Sequence, residues 1–149
     1  SSLKSAHVIL INGERNVNFE NKILRINNDL EFFYSRYKPT NIEEFIDKKL
    51  LAIAGIGNPD NFFKLLIKNN LKIEKKIVYP DHYVFTKNEI LNIVNEANSK
   101  NYQVIMTEKD YYKIKDFNMS EIKYLKINLE IYQSEKLIKK ILKIYDQKY

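Results

Sequence analysis

No cysteine occurs among the 149 residues, and there are only two histidines and three glycines. The absent thiols exclude disulfides and thiolate metal sites, which suits a reducing compartment. His7 and His82 are too far apart for a His-Glu-x-x-His zinc helix. The glycines, at positions 13, 55 and 57, cannot supply the Gly-x-x-x-x-Gly-Lys-Ser/Thr loop whose amides cradle nucleotide phosphates. No serine stands in a Gly-x-Ser-x-Gly elbow, so acyl transfer is set aside. Long apolar runs are missing too: nothing approaches the roughly 18 residues of a membrane span, and the first residues show no signal-peptide pattern. The segment is therefore expected to be soluble.

What is present is a globular balance, 44% hydrophobic and 30% charged, in a length that buries roughly 70% of its unfolded surface. The net charge of +6 raises the question of nucleic acid or an anionic membrane. Nearly all the cations are lysines, mixed with Asn, Ile and Tyr as an AT-rich genome would encode them. Solvated lysine faces account for such a charge, with a non-catalytic basic module that binds nucleic acid or another ligand as the alternative. Of eleven tyrosines only Tyr111 and Tyr112 cluster, and no RNP1-like pattern appears, so nucleic acid is not an expected partner.

Along the chain, His7 to Asn12 (HVILIN) reads as a buried strand ending in an Asn-Gly turn. Lys22 to Asn27 and Glu31 to Lys38 read as two arms of a hairpin around Asn27-Asn28-Asp29. After Pro39 the pattern alternates strand and helix, the signature of a mainly parallel sheet with helices packed on it. Lys49 to Ala54 predicts the first such strand. Asn58 and Pro59 suit the cap and first position of a helix with Phe62, Phe63, Leu66 and Ile67 on one face. Lys72 to Tyr79 predicts the next strand, and Thr86 with Glu89 spaces as a capping box for a helix burying Ile90, Leu91, Val94 and Ala97. Val104 to Thr107 and Ile122 to Asn128 predict two more strands. A final helix carries Leu137, Ile138, Ile141, Leu142 and Tyr145 on one side and lysines off it. The expected class is α/β, a Rossmann-like α/β/α layering behind an amino-terminal hairpin.

Three polar clusters then fall at the carboxyl ends of predicted strands, where ligands of open α/β sheets bind. Gly55-Ile56-Gly57-Asn58-Pro59 permits a tight turn, with amides that could face an anion. Tyr79-Pro80-Asp81-His82-Tyr83 places an imidazole beside a carboxylate, a pairing suited to proton transfer near neutrality. Thr107-Glu108-Lys109-Asp110 reads either as a capped helix start or as a set of groups for a polar head group or a neighbouring domain.

In this order and spacing, Ala54-Gly55-Ile56-Gly57-Asn58-Pro59 with Phe62-Phe63, Pro80-Asp81-His82, and Met106-Thr107-Glu108-Lys109-Asp110 with Lys113 resemble the second half of the tetraacyldisaccharide 4'-kinases. The similarity runs from Ala6 to about Lys126. It implies a transferase of lipid A and lipopolysaccharide biosynthesis, moving the γ-phosphate of ATP to the 4'-hydroxyl of a lipid A disaccharide precursor at the cytoplasmic face of a Gram-negative inner membrane. It also implies two α/β domains joined by a small two-stranded sheet. Residues 1–40 would then be a strand plus linker hairpin, and residues 41–149 the carboxy-terminal lid domain. The amino-terminal domain, with the P-loop, the Mg2+-binding acids, a catalytic aspartate and a membrane-anchoring helix, would lie outside this chain. By motif position His82 is the expected catalytic-support residue, with Asp81 orienting its loop. Gly55, Gly57, Asn58, Thr107, Glu108, Lys109 and Asp110 are expected to line the substrate or nucleotide cleft, and Glu14 is a candidate for the metal environment. ATP and Mg2+ would act in the full-length enzyme and be held by the other half, so that this segment alone is inactive. Its expected partners are that P-loop domain, the lipid precursor and the anionic membrane surface.

Overall fold

A computed structural model describes residues 2–146. Apart from short 3-10 turns, the elements run β1 (Val8–Asn12), α1 (Val17–Leu24), β2 (Glu31–Pro39), β3 (Lys49–Ala54), α2 (Pro59–Lys68), β4 (Lys72–Val78), α3 (Lys87–Ser99), β5 (Gln103–Thr107), α4 (Glu108–Ile114), β6 (Ile122–Leu125), β7 (Ile127–Ile131) and α5 (Ser134–Asp146). The described residues fall into two compact units: Pro39–Lys126, and the segments on either side of it.

The inner unit is the α/β sheet that the alternation predicts. Its four strands, in the order β4-β3-β5-β6, are all parallel. The central strand β3 is buried from Leu50 to Ala54, as befits a parallel strand covered on both faces. Leu50, Ala52 and Ala54 pack with Phe62, Phe63 and Leu66 of α2 on one side. Leu51 and Ile53 pack with Ile90, Ile93 and Val94 of α3 and Ile114 of α4 on the other. The helix starts are those the sequence signals. Asn58 accepts from the Asn61 N–H, and Thr86 and Glu89 complete a reciprocal capping box.

The outer unit departs from expectation. Residues 22–27 are not the arm of a hairpin: Lys22 to Leu24 end α1 and the rest is turn. Phe19, Ile23 and Ile26 recur at helical spacing, and Asn16 caps the helix by accepting from the Phe19 N–H. The Asn27 turn is real, with its side chain accepting from the Asp29 N–H, but it joins a helix to a strand. β1 and β2 consequently pair in parallel, within a three-stranded sheet ordered β1-β2-β7.

The predicted strand over residues 122–128 is also two strands in two sheets. Lys126 separates them: its N–H donates to Asn41 Oδ1 at 2.9 Å and its carbonyl accepts from the Thr40 N–H at 2.9 Å, leaving neither for the ladder. The chain from Ile127 onward therefore falls in the outer unit, not in a domain running from residue 41 to the end.

Candidate active-site edge

The inner sheet reverses direction of growth at β3, since β4 lies on one side of it and β5 on the other. Ligands of open α/β sheets sit at such switch points, beyond the carboxyl ends of the strands. Gly55 follows β3 and Thr107 ends β5, so the predicted residues converge here. A groove lined by Asp47, Lys49, Tyr102 and Glu121 opens at the opposite end of the strands and holds none of them.

Asp110 closes the switch point from within. Its carboxylate is fully buried and accepts from the Gly55 N–H at 2.7 Å, the Thr107 hydroxyl at 2.7 Å and the Lys113 ammonium at 2.7 Å. Thr107 returns the contact, accepting from the Asp110 N–H as the N-cap of α4. Lys113 also donates to the Gly55 carbonyl at 3.3 Å and lies over the Phe85 ring. Both backbone groups of Gly55 are thus occupied within the fold. A β-carbon at Gly55 would come within 3.2 Å of Asp110 Oδ1, tighter than ordinary contact. The latch through Lys113 is the part that motif reading passed over, although the Asp-x-x-Lys spacing places both groups on one helix face.

A second group stands outside this latch. Asp81 accepts from the His82 N–H at 3.0 Å and from the Lys109 ammonium at 3.2 Å. A Cβ on Gly57 would come within 3.3 Å of Asp81 Oδ2, so the bare glycine leaves room for the carboxylate. The Lys109 hydrogen bond, assisted by the His82 amide and nearby positive charge, lowers the Asp81 pKa against a smaller opposing effect of burial. Asp81 is accordingly ionised at neutral pH. His82 Nε2 lies 3.6 Å from Asp81 Oδ2, an ion-pair separation longer than a hydrogen bond, and its ring is 79% exposed.

The His82 backbone is left-handed, with φ of 60°, in a turn closed by the Tyr83 N–H and the Pro80 carbonyl. A β-carbon in that conformation costs about 1–2 kcal/mol, and the surroundings hold it there. Tyr79, Tyr83 and Phe85 stack with centroids 4.5 to 5.3 Å apart, and the Tyr83 hydroxyl donates to Glu89 at 2.5 Å. The turn therefore presents an imidazole beside a fixed carboxylate on a braced edge, an arrangement able to accept, hold or pass a proton.

The remaining candidates divide. Asn58 caps α2, and Glu108 is half-buried in the first turn of α4. Glu14 is exposed after β1 in the outer unit. Among the described residues no group of three His, Asp or Glu side chains is placed to hold a metal ion.

The family model of tetraacyldisaccharide-1-P 4'-kinase matches residues 1–146. The chain belongs to the tetraacyldisaccharide 4'-kinase family. A curated tetraacyldisaccharide 4'-kinase from Pelagibacter ubique is 35% identical over 99% of the chain, which spans 48% of that protein. The kinase of Francisella tularensis subsp. novicida is 40% identical over 59% of the chain, a match that spans 26% of it. A crystal structure of Aquifex aeolicus LpxK in complex with ATP superposes with a TM-score of 0.53 at 17% identity, covering 92% of the chain and 51% of that protein. That likeness supports the α/β fold. The chain thus spans about half the length of the Pelagibacter and Aquifex proteins.

Proposed function

We propose that this chain is the carboxy-terminal half of an ATP-dependent kinase that phosphorylates the 4'-hydroxyl of a lipid A disaccharide precursor, and that His82 serves the transfer by handling a proton. The observation that carries the reading is the exposed His82 imidazole, held on a left-handed backbone beside Asp81 at the carboxyl edge of a parallel sheet. Such a ring can support a general base or relay its proton.

Phosphoryl transfer also needs groups that cradle the phosphates and neutralise their charge in line with the accepting oxygen. The three glycines form no P-loop, so the phosphates of ATP are assigned to a P-loop half that would also bring the magnesium ligands. The chain alone is then inactive, and its working partners are that half, the lipid precursor and the anionic inner-membrane surface from whose cytoplasmic side the precursor is reached. Asn58, Glu108 and Lys109 remain assigned to the cleft, and Glu14 to the metal environment.

The test is turnover in the family-length enzyme. His82→Ala is expected to lower kcat by roughly 10² or more, the usual range for acid-base support, with KM little changed. Near-normal turnover would remove His82 from the mechanism.

A further inference from the structure

Each carboxylate at the carboxyl edge of the inner sheet is met by a lysine of α4. Lys109 and Lys113 stand four positions apart, on one face of the helix. Lys113 turns inward to Asp110, and Lys109 reaches Asp81 at 3.2 Å. Lys109 thereby bypasses the acids on either side of it in sequence, Glu108 and Asp110, for one 28 positions earlier. A cation in the first turn of a helix opposes the helix dipole, so its place is not explained by the helix itself. Nor does stability explain it, since a pair whose side chains are 50% and 40% exposed contributes little. What such a pair can fix is direction.

The two oxygens of Asp81 have different surroundings. Oδ1 accepts from Lys109 and from the His82 N–H at 3.0 Å. Oδ2 lies 3.6 Å from His82 Nε2 and against Gly57, where a β-carbon would come within 3.3 Å of it. Among the described residues the exposed imidazole has no polar partner but Asp81, and Asp81 has no polar tie beyond its own turn but Lys109. α4 is a firm place from which to hold it, because Thr107 and Asp110 bind its first turn to the turn after β3. A chain of contacts thus runs from the sheet through α4 and Lys109 to Asp81 and the ring.

We propose that Lys109 is a positioning residue for the phosphoryl transfer: its ammonium holds Asp81 Oδ1 so that Oδ2 stays turned to the His82 imidazole, and it acts on the reaction through that pair. This rests on reading His82 as the group that handles the proton. A ring so exposed samples many orientations unless something fixes it, and an error of about 1 Å at a reacting group costs on the order of 10²-fold in rate. An ammonium on the far oxygen leaves the near one for the ring. Direct contact of Lys109 with a substrate phosphate is the competing role, and it predicts a loss that does not depend on His82.

The test is a double-mutant cycle in the family-length enzyme, with NMR of the 149-residue chain beside it. Lys109→Met is expected to lower kcat about tenfold or more and leave KM for ATP and for the lipid acceptor within about twofold, as for an interaction that counts in the transition state. Lys109→Arg, which keeps the charge and a donor, should restore most of the loss. In the His82→Ala background Lys109→Met should change kcat by less than about twofold, because a residue that acts through another loses its effect with it. The same loss in both backgrounds, or a raised KM with kcat unchanged, overturns the proposal in favour of direct contact with substrate. Full turnover of Lys109→Met overturns it too. In the 149-residue chain Lys109→Met should shift the His82 amide and imidazole resonances, and add no further shift once Asp81→Asn is present. Unmoved resonances overturn the proposal even where His82→Ala abolishes turnover. Moved resonances with normal turnover of His82→Ala defeat the proton-handling reading and leave the hold of Lys109 on Asp81 standing.

Discussion

Asp110 shows how much one side chain can set in a parallel sheet. It is buried at the switch point, and every side chain or amide that donates to it belongs to an element that must be held there: the turn after β3, the end of β5 and the last turn of α4. Removing it leaves the Lys113 ammonium and the Gly55 N–H without their acceptor, and breaking a buried pair this way costs about 3–5 kcal/mol. Because Lys113 keeps 23% of its side-chain surface exposed, water offsets part of the loss, and Asp110→Ala is expected near the lower end of that range. Asp110→Asn retains an acceptor for Gly55 and should lose about half as much. Urea unfolding of the chain measures both; a change below about 1 kcal/mol for the alanine variant would contradict the latch. The sequence makes the Thr107 cap readable and brings the cluster to the right edge. It could not disclose that Asp110 faces inward to Gly55, a contact across 55 positions, while Asp81 and His82 face outward.

At the scale of elements, local chemistry was legible where it closes locally. The caps at Asn58, Thr86 and Thr107 each rest on a contact three residues away, and each is present. The segment around Ile23 misleads because Ile23, Leu24 and Ile26 are β-branched or bulky, while the deciding contacts come from Asn16 and from Glu20 with Tyr34. Glu96 on α3 is held by Lys100 at 2.8 Å and, across to β4, by Lys75 at 2.7 Å, which lower its carboxyl from the ordinary 4.5 to about 2. A carboxylate with a depressed folded-state pKa stabilises the fold above its unfolded value, and this contribution fades as pH falls from 4.5 towards 2. Glu96→Gln is therefore expected to flatten the fall of the urea midpoint through that window while leaving its shape above pH 5 unchanged. An unaltered acid limb would show that the tether does not couple to folding.

For the molecule as a whole, the α/β class followed from alternation alone, whereas the division into units did not. No local pattern announces that residues beyond Lys126 leave the inner sheet and add β7 beside β2. Part of the lysine complement is paired: Lys38, Lys72, Lys75, Lys100, Lys109, Lys113, Lys136 and Lys140 each lie beside a carboxylate. The backbone bonds of Lys126 to Thr40 and Asn41 carry a consequence of their own. They bring entry and exit of the inner unit side by side, as in a cassette spliced into a host, so a cut at this neck severs two neighbouring segments of chain. Residues 39–126 expressed alone should fold cooperatively and keep the amide chemical shifts of His82 and Gly55 seen in the intact chain; dispersed shifts that differ throughout would mean that the cassette borrows its order from the host.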